Sequence, residues 1–226
     1  MSMLHQLRRV AAVVEKDVRS ELRTRYGVTA LGLFVLTSVT LIVFAVGEEP
    51  LPRPMAAGIL WVIMFYSAMT GLGRGFISEE ERGTALFLRL NSNLTSIFLG
   101  KLVVNIVLAV VTSIAALMLM MLFFSQVTIG SWLVMVAAVT IGSIGLAAVL
   151  SIVSAIVAKA GTRNPILPVL SFPLLVPLVM PGVNAMILGL AGFTLAEAAS
   201  DLLLMTSYTG IVIVVSVVVF EVVWDE

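Results

Sequence analysis

Few residues of this chain are of a type that makes or breaks bonds, and none is spaced to do so. The 226 residues include no cysteine and one histidine, His5. Thiol catalysis, disulfides and thiolate metal sites are excluded, and one chain cannot assemble a multi-histidine site. Gly100-Lys101 is followed by Leu102, and Gly-x-x-x-x-Gly-Lys-Ser/Thr is absent, so the chain has no P-loop of its own for ATP. His-Glu-x-x-His is absent too. Ser143, Ser151 and Ser154 stand in a long apolar run with no His or Lys beside them, which suits packing and helix–helix hydrogen bonding. Gly142 and Gly145 in the same run suit close backbone approach. Most of the twelve methionines lie in apolar runs, where packing is a better reading than haem or copper ligation. His5 sits too close to the N-terminus, at an interface, to serve well as a haem ligand.

The chemistry that remains is docking and bending. The largest hydrophilic island inside the chain runs from Arg74 to Lys101. Ser78 with Glu81 has the spacing of a capping box, and Glu79 to Glu81 fill a first helical turn where negative charge is favoured. The spacing predicts a short helix with Ala85, Leu86, Leu88 and Leu90 free for contact. A solvated connecting loop is the plain alternative. The island is long for a loop and mixes exposed apolar residues with charge, which suits docking on another protein. Pro168, Pro173, Pro177 and Pro181 recur every four or five residues, roughly along one face. Each removes a backbone donor, so a hinge or a static kink is expected. No charged residue stands in the middle of an apolar run to mark an ion path.

The elements that position these groups are membrane helices. The chain is 60% hydrophobic and 12% charged, against about 45–50% and about 25% in soluble domains. Its net charge is zero, so nothing points to nucleic acid. About 20 apolar residues cross a core of about 30 Å. Six stretches qualify: roughly 27–46, 55–73, 102–124, 132–158, 165–180 and 202–223. The fifth is short, holds three prolines and runs into Pro181-Gly182. The apolar piece 183–192 after it is too brief to span and reads as a helix at, or dipping into, the interface, within an external segment 181–201.

Six spans sort the basic residues. Arg8, Arg9, Lys16, Arg19, Arg23, Arg25, Arg74, Arg82, Arg89, Lys101, Lys159 and Arg163 fall on one side, and only Arg53 on the other. The positive-inside rule makes that side the cytoplasm, with both termini there. A five- or seven-span count breaks the partition. Residues 1–26 lack the early apolar core of a signal peptide. Leu4, Leu7, Ala11, Val14, Val18 and Leu22 recur at helical spacing, which suits an amphipathic helix in the membrane interface. A helix packed on a soluble partner would read the same way.

Three segments together resemble one family, the haem exporter B subunit of bacterial cytochrome c maturation, CcmB. They are Lys-Asp-Val-Arg-Ser-Glu-Leu-Arg-Thr-Arg at 16–25, then Ala-Gly-Ile-Leu-Trp-Val at 57–62 with Gly-Arg-Gly-Phe-x-x-Glu at 73–79, Glu-Arg-Gly-Thr at 81–84 and Gly-Lys-Leu at 100–102, and the proline-rich 162–177. The middle segment also resembles membrane domains of ABC-2-type exporters more broadly. Where the family usually continues with a Leu-Glu-x-Leu-like helix and a proline, Ala85 to Leu88 and Asn91 to Asn93 stand here, which leaves the details of an ATPase contact open.

The resemblance implies an all-α permease of six transmembrane helices in the bacterial inner membrane, a single domain over 1–226 and no enzyme. Residues 4–25 would form an interfacial elbow helix, with Arg19, Glu21, Arg23 and Arg25. The loop 74–101 would carry a cytoplasmic coupling helix between spans two and three. Ser78, Glu79, Glu81, Arg82, Leu86, Phe87, Arg89 and Leu90 would dock a separate ATPase subunit, CcmA, which holds the ATP. CcmC, CcmD and the haem chaperone CcmE would complete the assembly, with haem as a transported or handled ligand and no cofactor held by this chain. Two other readings share the layout: an exporter of another lipid or drug, and a non-transporting scaffold of a haem-loading complex.

Overall fold

The protein is described by a computed structural model, which covers residues 3–24, 26–47, 49–72, 75–81, 83–84, 93–124, 126–160 and 166–225. Among these residues every regular element is a helix: α1 Met3–Thr24, α2 Tyr26–Val46, α3 Arg53–Leu72, α4 Ile77–Glu81, α5 Leu94–Phe123, α6 Trp132–Lys159, α7 Ile166–Ala191 and α8 Ala199–Asp225. Six of them, α2, α3 and α5 to α8, are long and apolar enough to cross a membrane. At about 1.5 Å per residue, the 30-residue α5 extends well past a bilayer core at one end.

The burial pattern is that of a bundle whose solvent is lipid. Leu41, Phe44, Leu133, Val169, Met180, Leu203, Val214 and Val222 are all more than 60% exposed. Within the spans such residues face hydrocarbon, and exposing them costs nothing there. The most enclosed helix is α6, which packs on α5, α7 and α8. Its inward residues are small. A Cβ on Gly145 would come within 2.5 Å of Leu178 and 2.8 Å of Thr209 Oγ1. The serines of α6 behave as packing residues: Ser143 Oγ donates to the Val139 carbonyl at 2.6 Å, Ser154 Oγ to the Ser151 carbonyl at 2.9 Å, and Ser151 Oγ accepts from Asn105 Nδ2 of α5 at 2.8 Å.

The proline-rich span departs from expectation. Instead of a short helix to residue 180 followed by a separate interfacial piece at 183–192, α7 runs unbroken from Ile166 to Ala191 through Pro173, Pro177 and Pro181. The expected external segment 181–201 is thereby divided among α7, a turn and α8. The physical reason is solvent. In water a helix-interior proline costs about 3 kcal/mol, but in lipid an irregular backbone would expose several unpaired polar groups instead. Neighbouring helices also support it: the Tyr208 hydroxyl of α8 donates to the Leu174 carbonyl, and Leu167, Ser171, Leu175, Leu178, Gly182, Ala185 and Met186 are buried. Pro168 sits in the first turn, where its missing N–H matters least. Gly182 is no breaker. A Cβ there would lie 2.1 Å from the Trp61 ring, so the glycine seats an indole. The helix ends at Gly192, φ +91°, where the amides of Gly192 and Phe193 both reach the Leu188 carbonyl. In the turn before α8 the Thr194 amide and hydroxyl donate to Glu197 and hold its carboxyl below the usual value.

Candidate functional site

The ends of the helices sort as six spans require. The C-terminal part of α8 meets the start of α5, where Thr95 Oγ1 donates to Glu221, and the C-terminal part of α6, where Trp224 Nε1 donates to the Ala155 carbonyl at 3.1 Å. Helix α1 lies at that same end, its Arg9 donating to Asn93 Oδ1 at 2.6 Å. At the opposite end Gly130 packs on Gly192 and the Ser131 amide donates to the Gly189 carbonyl at 2.8 Å. Every described basic residue of the larger group therefore stands at one end of the bundle, or on the helix attached to it.

The candidate site is built at that basic end, where α3 stops at Leu72 and the chain turns into α4. Phe76 is fully buried and fixes the turn. Its ring lies 5.2 Å from Phe220, 5.4 Å from Trp224 and 6.3 Å from Phe98, centroid to centroid. This cage sets the start of α4 and displaces the expected capping box. Ser78 is inside α4 rather than before it, with its hydroxyl only 3.5 Å from the Gly75 carbonyl, and Glu81 is exposed. Gly83 closes the helix at φ +67° with its amide on the Glu80 carbonyl. Within the expected coupling helix 78–91, the structure shows helix only as far as Glu81. Arg82, Leu86, Phe87, Arg89 and Leu90 lie outside the described residues.

The three acids of α4, equivalent in the sequence, are not equivalent in space. Glu80 and Glu81 are exposed, whereas Glu79 is turned inward. Lys16 Nζ of α1 reaches Glu79 Oε1 at 2.6 Å, and Lys101 Nζ of α5 reaches the same oxygen at 3.2 Å. Thr84 donates its hydroxyl to Glu79 Oε2 and its amide, at 3.0 Å, to the Glu79 carbonyl. Glu79 is thus not presented for docking. Lys101, 4% exposed, also contacts Asp17 Oδ2 at 3.2 Å and the Gly75 carbonyl at 3.1 Å, and stands 5.4 Å from the Phe76 ring centroid. Its three ammonium protons have three acceptors on three segments. A cavity of about 480 Å³ opens beside it and reaches Asn105 and Leu108.

Helix α1 is joined to this site by close packing. A Cβ on Gly100 would lie 2.7 Å from Val13, so the glycine beside Lys101 lets α1 lie against α5. Val13 is buried, while Leu7 and Val18 of the expected apolar stripe are 60% and 39% exposed. Glu21 Oε1 accepts the Val28 amide at 3.0 Å and so ties α1 to the start of α2. Arg19 pairs with Glu15 at 2.5 Å on the exposed side, Arg23 is exposed, and Arg25 lies outside the described residues. Phe76, Lys101, Asp17 and Lys16 stand within the segments that carry the family resemblance but were not expected to form a site. The available signal was Lys101 itself, a cation at the very start of a long apolar run with a glycine before it.

The prolines form a separate feature. Pro168, Pro173 and Pro177 are exposed and Pro181 is half-buried; in the continuous helix Pro173, Pro177 and Pro181 follow one another along one side, while Pro168 stands on the other. Between α3 and α7 lies an apolar groove of about 420 Å³ lined by Trp61, Phe65, Tyr66, Phe172 and Met180 among others. The buried indole N–H of Trp61 has no partner among the described residues.

A family model described as CcmB protein matches residues 8–222, nearly the whole chain and all six spans. The chain belongs to the CcmB family. That makes it a multi-pass membrane component of an ABC transporter of haem export and cytochrome c maturation, a transport subunit rather than a catalytic one. No curated protein matches it. CcmB proteins work with an ABC ATPase and other maturation components, which fits a chain without a P-loop and with a buried ion-pair cluster at its basic end.

Proposed function

We propose that this CcmB protein couples ATP hydrolysis on a separate subunit to haem export, or to release of the haem-loaded chaperone, by receiving force at the turn after α3. The observation that carries the reading is the three-way tie of that turn, α1 and α5 through Glu79 and Lys101. The ATPase subunit, CcmA in the family, docks on the exposed Glu80 and Glu81 and on the stretch of sequence that follows, through Arg82, Leu86, Phe87, Arg89 and Leu90. CcmC, CcmD and the chaperone CcmE assemble around the bundle, and haem is cargo rather than a resident cofactor. The basic end faces the cytoplasm of a bacterial inner membrane, a reading supported by the bias of twelve of thirteen basic residues to one side. Helix α1 lies in the interface there: Val10 and Val13 turn to the bundle, while exposed Leu7 and Val18 are left for lipid.

The test is purification. Replacing Glu81 and Arg82 together by alanine is expected to reduce the co-purified ATPase subunit several-fold while the six helices stay folded. Full retention of the ATPase would remove the docking assignment. In vesicles holding the whole complex, ATP-dependent haem flux marks a transporter, and ATP-dependent chaperone release without flux marks a scaffold.

A further inference from the structure

The ion-pair cluster does more than satisfy charge. A buried ammonium with one carboxylate would meet the ordinary need of a basic residue at the edge of a bundle. Lys101 instead divides its three protons among Asp17 of α1, the Gly75 carbonyl of the turn and Glu79 of α4. The five residues of α4 are too few to hold a helix by themselves. They are fixed from below by the Phe76 cage and from the side by Glu79. Thr84 then binds both the carboxylate and the carbonyl of Glu79, so the chain leaving α4 is fastened to the same point. Lys16 repeats the link from α1. Next to Lys101, Gly100 brings the α1 backbone to within van der Waals contact, with Val13 and the Val10 carbonyl against it. Sliding between α1 and α5 at this point meets a steric stop.

We propose that Lys101 is a positioning residue that holds α1, α4 and the first turns of α5 as one body, so that force applied to the loop after α3 moves α5 and α1 together. This rests on the coupling reading above. α5 continues as a single helix from Leu94 to Phe123, so a displacement at Lys101 is carried to the opposite end of the bundle. Without the ammonium, Glu79 keeps only Lys16 and Thr84, and the turn can give way without moving α5.

The experiment uses the full complex with its ATPase, comparing the unchanged chain with Lys101→Met. Lys101→Met is expected to retain the ATPase subunit and to hydrolyse ATP within two-fold of the unchanged complex, yet to yield at least ten-fold less haem-bearing cytochrome c. A yield from Lys101→Met within two-fold of the unchanged chain overturns the inference. Should Lys101→Met not accumulate, amide exchange on the unchanged complex decides. Residues 10–20 and 76–81 are expected to change protection together on adding ATP, and independent changes overturn the proposal. An unchanged complex whose output ignores ATP removes the coupling reading itself; a working one that is indifferent to Lys101 removes only the inference.

Discussion

Lys101 and Glu79 show how much a tertiary setting adds to a residue type. In the sequence Glu79, Glu80 and Glu81 are three adjacent acids at the start of a helix. In the fold one of them is buried against two lysines and a threonine, while the others face outward. Hydrogen bonds to charged groups contribute about 1.5–3 kcal/mol each. Glu79→Gln is therefore expected to lower the midpoint of thermal unfolding in detergent by an amount equivalent to about 2 kcal/mol, and Glu80→Gln to leave it unchanged. Equal effects would show that the inward turn of Glu79 has no energetic weight. The glycines of the bundle make a second residue-scale case. Gly182 lies under the Trp61 ring, with 2.1 Å from an added Cβ to the ring carbon. A flat, buried indole wedged between helices has little room to move, so Gly182→Ala is expected to cost about 1–3 kcal/mol. Gly58, where an added Cβ meets nothing within 4 Å, is the control, and its alanine variant should melt as the unchanged protein does. No spacing rule distinguishes these two glycines in the sequence, because the distinction depends on an aromatic ring contributed by another helix.

At the scale of elements, the sequence is clear where hydrophobic length is the deciding quantity. The first, second, fourth and sixth spans match the observed helices closely, and α5 merely begins earlier, at Leu94, because Lys101 interrupts the apolar run that its first two turns would otherwise extend. The miss at α7 has a physical origin. Proline penalties are learned in water, where a broken helix can bond to solvent, whereas a bilayer offers no such exit. Pro177 tests this view. It is exposed, and its ring denies an amide to the Pro173 carbonyl. Pro177→Ala is expected to raise the unfolding temperature, since it returns a backbone hydrogen bond without disturbing the core. A lower temperature would mean that the ring itself packs against something. Cytochrome yield measured on the same variant separates a hinge from a fixed bend: a working hinge loses output as it gains stability, and a fixed bend does not.

For the whole molecule, the pattern of arginines and lysines proved as informative as the apolar runs. It demanded an even number of crossings, and the structure brings the start of α5 and the ends of α6 and α8 to one end, with α1 beside them. Reporter tags inserted after residue 92 and after residue 195 are expected to read opposite sides of the membrane, the first on the cytoplasmic side. Two tags on one side would undo the threading and the docking surface with it. What the sequence withheld at this scale is which helix stands in the middle. The spans differ little in hydropathy, and α6 is central because its glycines, alanines and serines let α3, α5, α7 and α8 close on it.

That crowded centre bears on traffic. Around Gly142, Gly145 and Gly182 the helices touch with no side chain to spare between them. Among the described residues these contacts close the middle of the bundle. The open side lies elsewhere: the apolar furrow between α3 and α7, walled by Trp61, Phe65, Tyr66 and Phe172, is on the outer surface of the bundle.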